Sequence, residues 1–261
     1  MKRTLAGAVV LAAVSQEVVA QLGPDPPLTR HGWEVGAQAA HYEYREPNVV
    51  KLAGNRLGIL GAYTFTGAHG LFSKIDVRQS YGRLKYEGSG TQNNVPDLII
   101  ETRAVVGSGF RAGGSVSLSP YSGLGYRYLY SNLQGYSSTG AVGYRRYSNY
   151  LYAPIGLTAR VHFGGGWVLA PTVEVDVFIL GRQVSKLSDT GLGYGDVTNR
   201  QDKGRGHRAS LMVEKNHWAV GAWAHYWHIS HSDTQPIGLG QVGREPENYT
   251  REGGLEVRYR F

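Results

Sequence analysis

The residues best equipped for chemistry lie together near the carboxyl end: His225, His228, Ser230, His231, Ser232 and Asp233, with Glu245 and Glu247 following. A base, a hydroxyl and a carboxylate are the parts of an activated nucleophile: imidazole takes the hydroxyl proton and the acid orients the imidazole. His228, Ser230, His231 and Asp233 are the candidates for those catalytic roles. The same residues also read as the polar end of a strand. Three histidines stand close together here, but their spacing specifies no metal, so neither a metal nor another cofactor is expected. Gly164-Gly165-Gly166 and Gly191-Leu192-Gly193 lack the strand–turn–helix context of a phosphate cradle and read as turn and loop glycines.

What could hold such a cluster follows from the whole chain. It has 261 residues, no cysteine, 37 glycines and 18 tyrosines. Disulfide scaffolds and cysteine-ligated zinc or iron–sulfur centres are excluded. No stretch approaches the ~18–20 apolar residues that a spanning helix needs. The amino end carries the three parts of a secretory signal peptide: basic Met1-Lys2-Arg3, the apolar stretch Leu5 to Val14, and compact Val18-Val19-Ala20 before Gln21. Residues 1–20 are therefore expected to be removed on export, leaving residues 21–261 as a single domain.

The other end alternates. Glu252, Gly254, Glu256, Arg258 and Arg260 interleave with Gly253, Leu255, Val257, Tyr259 and Phe261. Side chains on a strand point to opposite faces with period two, so one face is charged and the other apolar. This ending resembles the terminal strand of bacterial outer-membrane β-barrels, and the resemblance gives Tyr259 and Phe261 the role of an assembly signal read by the outer-membrane assembly machinery.

A barrel must repeat that pattern, because in lipid only helices and closed barrels satisfy every backbone group. The pattern returns in Leu151–Phe163, around Ile75 and Val77, from Leu98 to Val106, and in Val173–Ile179. Further segments near Trp33–Tyr44, Arg56–Thr66, Ser117–Tyr130, Arg205–Glu214 and Trp218–His228 bring the number of strands to about ten. Pro120, Pro154 and Pro171 are expected at strand ends or bulges, since proline donates no ladder bond. Connections near Gly67–Gly70, Phe110–Gly114, Gly164–Gly166 and Lys215–His217 are short. Those near Arg45–Asn55, Arg83–Asp97, Ser131–Ser148, Gly181–Gly204 and Ile229–Asn248 are long. The expectation is an all-β, closed antiparallel transmembrane β-barrel with short periplasmic turns and long extracellular loops. Trp33, Phe65, Phe163, Trp167, Trp218 and Phe261 form one aromatic girdle, and Tyr126, Tyr128, Tyr130 and Tyr226 the other.

On the inward phase Glu34, Asp76, Glu101, Glu174, Asp176, Glu214, Glu252 and Glu256 meet Lys74, Arg78, Arg103, Arg127, Arg160, Arg208, Arg258 and Arg260. Balanced charge in a narrow lumen predicts interlocked ion pairs, with Tyr121, Trp223 and Trp227 filling space. The formal charge of +7 then belongs mainly to loops. Arg83, Lys85, Arg145, Arg146, Arg200, Lys203 and Arg205 are the expected contacts to anionic lipopolysaccharide; a solvated basic surface is the plainer reading, and an exported barrel gives little reason to expect nucleic acid.

The chain thus resembles small porin-like outer-membrane proteins of Gram-negative bacteria, which implies residence in the outer membrane among its lipids. The favoured role is non-enzymatic: structural, lipopolysaccharide-contacting, or surface-binding through loops. Two other roles stay open. His228-x-Ser230 resembles barrel lipid A deacylases and rim His and Asp residues resemble omptin proteases, although the paired acidic motifs of omptins have no counterpart in the chain. A narrow channel for small solutes is the third reading.

Overall fold

The computed structural model describes residues 29–261, so the signal-peptide expectation for residues 1–20 lies outside the described residues. In chain order the strands are β1 (Gly32–Glu46), β2 (Val50–Thr66), β3 (Leu71–Gly88), β4 (Gly90–Ser108), β5 (Phe110–Gly113), β6 (Val116–Tyr136) and β7 (Val142–His162). They continue as β8 (Trp167–Ser185), β9 (Val197–Gln201), β10 (Gly204–Lys215), β11 (Trp218–Ile229), β12 (Gln235–Gly238), β13 (Gln241–Gly243) and β14 (Asn248–Arg260). Ten of these, β1 to β4, β6 to β8, β10, β11 and β14, form one closed antiparallel barrel. Closure is made where β14 pairs with β1 and β11, and where β10 pairs with β8. A closed wall leaves no row of unpaired backbone groups, the condition for crossing lipid with strands.

Period-two alternation positions every side chain. On β1, Glu34, Gln38, Ala40, Tyr42, Tyr44 and Glu46 are buried inside, while Trp33, Val35 and His41 face out. The outer face carries large apolar groups that water would not tolerate in such density: Leu57 is 73% exposed and Leu255 66%. Trp33, Phe65, Phe163, Trp167, Trp218 and Phe261 are all exposed at the turn end. Tyr126, Tyr128, Tyr130 and Tyr147 gather toward the other end, with Tyr130 and Tyr147 ring centroids 5.1 Å apart.

The wall is lopsided. β10 and β11 have 12 residues each, whereas β6 and β7 have 21. A transmembrane strand needs only about 9–11 residues, so the long strands run well past the bilayer. Three of the five segments expected as long loops are therefore continued hairpins. β1 and β2 are joined by residues 47–49, β3 and β4 by Ser89, and β6 and β7 by residues 137–141. Paired strands satisfy their own backbone groups in water as well as in lipid, so the ladder has no reason to stop at the membrane surface. The longer connections are residues 186–203, in which β9 returns to pair with the outer end of β8, and residues 230–247, which carry the separate β12–β13 ribbon.

Inside the extended part lies an apolar core. Tyr42, Tyr44, Leu52, Leu84, Val95, Ile99, Leu129, Leu133, Tyr150, Tyr152, Phe178, Trp227 and Ile229 form one buried cluster. Pro154 lies mid-strand in β7, away from any strand end. It is accommodated because the β6–β7 ladder lapses at residues 123–124 and 153–154, and a bulge at Leu151/Tyr152 adjoins it on the β8 side. The lumen tyrosines lie against strand glycines. A Cβ at Gly125 would fall 2.2 Å from the Tyr152 ring, and one at Gly156 2.3 Å from the Tyr121 ring.

Candidate functional site

Strand alternation decides the fate of the histidine cluster. On β11, Trp223, His225, Trp227 and Ile229 face inward and Tyr226 and His228 outward. His225 packs on Trp223 inside, with its Nδ1 3.9 Å from Glu252 Oε2. His228 instead stacks on Tyr249 on the outer wall, centroids 4.6 Å apart, with Nε2 3.3 Å from Glu247 Oε2. Ser230 is tied through its backbone: its amide donates to the Lys203 carbonyl at 2.9 Å, and its carbonyl accepts from Gln201 Nε2 at 3.1 Å. Ser232 donates to the Asp233 carbonyl and accepts the Glu245 amide. The Asp233 carboxylate accepts from the Arg200 amide and from Gln235 Nε2, both at 2.7 Å; the amide bond, first among its causes, lowers its pKa. His231 is exposed. Among the described residues no hydrogen bond joins Ser230 or Ser232 to an imidazole, so of the four catalytic candidates only His228 meets an acid, Glu247 from outside the set, and no hydroxyl is activated. No group of three or more described His, Asp and Glu side chains is placed to hold a metal.

The interior is where charge is organised. All twelve residues expected in the lumen network, Glu34, Asp76, Arg78, Glu101, Arg103, Arg127, Arg160, Glu174, Asp176, Arg208, Glu256 and Arg258, project inward. Arg103 Nε lies 2.9 Å from Asp76 and its Nη1 2.8 Å from Glu174, which also accepts from Tyr121 at 2.7 Å. Arg208 binds Glu101 and Asp176, and Arg78 spans Glu101 and Glu252 at 3.1 Å each. Nearer the turns, Arg160 grips Glu214 with two bonds of 3.0 and 2.6 Å, and Arg258 lies 2.7 Å from Glu256. Arg127 differs: it is buried over the Trp227 ring at 5.4 Å, with no hydrogen-bond acceptor among the described residues.

Two further layers escaped the sequence reading because their acids, Asp97, Glu46 and Glu245, fell in segments taken as loops. Arg56 pairs with Asp97 and lies 3.5 Å over the Tyr42 ring. Above it, Arg146 is shared by Glu46 and Glu245. Arg146 was expected on the outer surface beside Arg145. Being one residue further along β7, it points inward, and it cross-braces the outer mouth instead of meeting lipid. Glu245, held there with Ser185 at 2.9 Å, has its pKa raised by burial.

The remaining basic candidates face out. Arg83, Lys85, Arg200, Lys203 and Arg205 are exposed, and Arg145 is half-buried. Lys85 pairs with Glu87 at 2.7 Å. Arg145 clamps Asp189 with bonds of 2.8 and 2.7 Å, which hold that carboxyl down at about 2. Arg200 lies beside Asp233, whose carboxylate it helps to hold ionised, while Arg83, Lys203 and Arg205 make no ion pair among the described residues.

Toward the outer mouth a cavity of about 90 Å³ adjoins Leu133 and Arg146, and two cavities of about 100 and 180 Å³ lie in the charged part of the lumen. All three fall below the ~300 Å³ at which small-molecule pockets begin. Arginine, carboxylate and tyrosine side chains line the smaller of the latter two, and Glu34, Lys74, Glu214 and Arg260 are among those lining the larger.

No family model and no curated protein matches the chain. Solved structures do. The outer-membrane protease OmpT of Escherichia coli superposes with a TM-score of 0.59 at 10% identity, covering 88% of this chain and 96% of that one. The β domain of the Bordetella autotransporter BrkA gives 0.43 at 10% identity, covering 88% and 100%, and Neisserial surface protein A gives 0.36 at 14%, covering 88% and 97%. The topology, the register and the OmpT superposition agree: the chain has the fold of an outer-membrane β-barrel.

Proposed function

We propose that this chain is an integral outer-membrane protein of non-enzymatic role, a filled pillar in the membrane that meets anionic lipopolysaccharide through its outward basic residues. The observation that carries this reading is the contrast between its two faces. An apolar band with aromatic borders faces out, and the interior is spanned by ion pairs from wall to wall beneath an apolar core. Such an interior supports a structural element over a solute channel, since ions need a continuous wet path. Arg83, Lys203 and Arg205, which make no ion pair among the described residues, are the groups best placed to meet lipid phosphates, with Arg200 beside Asp233 as a fourth basic group on that face. Purified protein in planar bilayers is expected to give no conductance steps. Steps of reproducible size overturn the filled-pillar reading, and recovery of the protein outside the outer-membrane fraction overturns its location.

A rim hydrolase is the second reading, favoured by the His228–Glu247 pair and by the likeness in fold to a protease. It requires Ser230 to turn toward His228. Hydrolysis of a peptide or of an acyl ester of lipid A that disappears in both His228→Ala and Ser230→Ala would establish it.

A further inference from the structure

The outward face of β10, β11, β14 and β1 changes character over three consecutive cross-strand rows. Leu211, Ala222, Leu255 and Ala39 stand side by side in register and are apolar. The next row is Ala209, Ala224, Gly253 and His41, and the one beyond is His207, Tyr226, Arg251 and Glu43. Ala209, Ala224 and Gly253 are the small members of that row, and with His41 at its edge they leave a recess of about 650 Å³. Past it the wall becomes cationic and aromatic: Arg205, His228, Tyr249 and Arg45 form the following row. His207 stacks on Tyr226 at 6.2 Å and His228 on Tyr249 at 4.6 Å, which fixes the rings as flat walls. Glu43, the acid of the recess, is drawn to Lys51 at 3.2 Å. Arg251 has no carboxylate partner among the described residues.

We propose that this recess seats a phosphorylated, multiply acylated glycolipid of the outer leaflet. Its acyl chains lie on Leu211, Ala222 and Leu255, its sugar backbone fills the step over Ala209, Ala224 and Gly253, and a phosphate meets Arg251 and His207. Three points on the wall carry this. Apolar, small and cationic rows follow one another in the order of chain, backbone and headgroup in a lipid. The Arg251 guanidinium makes no ion pair among the described residues, since its neighbour Glu43 is drawn to Lys51, and with His207 beyond Tyr226 in the same row it complements a phosphate dianion. The recess spans four strands, about 14 Å at the usual strand spacing, a width suited to several chains side by side. The proposal rests on the outer-membrane residence proposed above, with the short turns on the periplasmic side.

The test is retention of diphosphoryl lipid A by the detergent-solubilised full barrel, read as bound adducts by native mass spectrometry. Wild type is expected to retain it. Ala224→Phe, which fills the recess, and the double variant Arg251→Ala/His207→Ala are each expected to retain at least tenfold less. Thr102→Phe, the same bulk on the opposite wall, is expected to match wild type. Heat-modifiable migration on gels shows which variants are folded, and Arg251→Gln replaces the double variant if that one is not. Retention unchanged in Ala224→Phe and in the arginine variant overturns the proposal. So does equal retention of dephosphorylated lipid A, or of phosphatidylglycerol. None of these results affects the conductance test, so the two readings fail separately.

Discussion

Arg208 on β10 and Glu101 on β4 face each other across the lumen, four strands apart around the shorter arc of the wall, and Arg208 Nη1 donates to Glu101 Oε2 at 2.9 Å. Both side chains are almost fully buried, and Glu101 also accepts from Arg78 at 3.1 Å and Tyr152 at 2.8 Å. Removing one partner strands a buried charge, at a cost of about 3–5 kcal/mol, whereas replacing both by apolar groups of similar size is often neutral. Arg208→Ala is therefore expected to lower the temperature at which the heat-modifiable folded band disappears, and Arg208→Met/Glu101→Leu to recover much of the loss. Equal losses in the two variants would show that the pair does not act as a unit.

The contact between Gly125 and Tyr152 gives a prediction about packing. Gly125→Val places its Cβ inside the tyrosine ring, 2.2 Å from Cζ, so the ring must leave the floor it shares with Trp227 and Glu101. Overpacking of this kind costs about 1–3 kcal/mol. Gly164→Ala, in a turn with open space around it, is expected to stay within ~0.5 kcal/mol of wild type. Denaturant unfolding in detergent measures both.

The Arg145–Asp189 clamp ties residues 186–191 to the rim, and its pH dependence has a definite sign. The carboxyl titrates near 3.8 when free and at about 2 when clamped. A group whose value is depressed in the folded state contributes fully above the free value and loses that contribution as pH falls through the clamped one. Amide exchange protection of residues 186–191, corrected for intrinsic rates, should hold steady from neutral pH down to roughly pH 4 and fade only as pH approaches ~2. Asp189→Asn should lack it throughout. Fading in wild type already near pH ~5 would contradict the assignment.

Deleting Phe261 should impair membrane assembly while leaving export intact. The residue's amide donates to the Trp33 carbonyl at 3.0 Å, and its ring packs edge-on against Tyr259 at 5.2 Å. Loss of the folded band with exported protein still present is the expected outcome. Wild-type surface levels would deny Phe261 that role.

How far the sequence could be read depended on where alternation was clean. Leu151–Phe163 and the terminal Leu255, Val257 and Tyr259 showed period two between unlike faces, so direction and burial followed directly. At Leu52, Leu84 and Leu133 the rule fails to announce itself, because past the bilayer both faces mix polar and apolar groups. Those stretches look like loops until the partner strand is seen. Arg146 shows the sharper limit: two adjacent arginines carry no hint of which faces in, and only the register opposite β8 decides it. The catalytic candidates met the same rule in reverse. His225 and His228 are near in sequence, but a separation of three along a strand puts them on opposite sides of a wall.

Glu34 lies opposite Arg260 in register, so the first strand, already paired with β2 on one edge, finds its second partner only in the last. Every other neighbouring pair in the wall can form as the chain is delivered, but this seam waits for the final residues. Until then the growing sheet has two open edges, each offering free amides and carbonyls to any passing strand. The slowest step of making this protein is therefore expected to be the joining of its ends, and during that interval it must be shielded from its own kind.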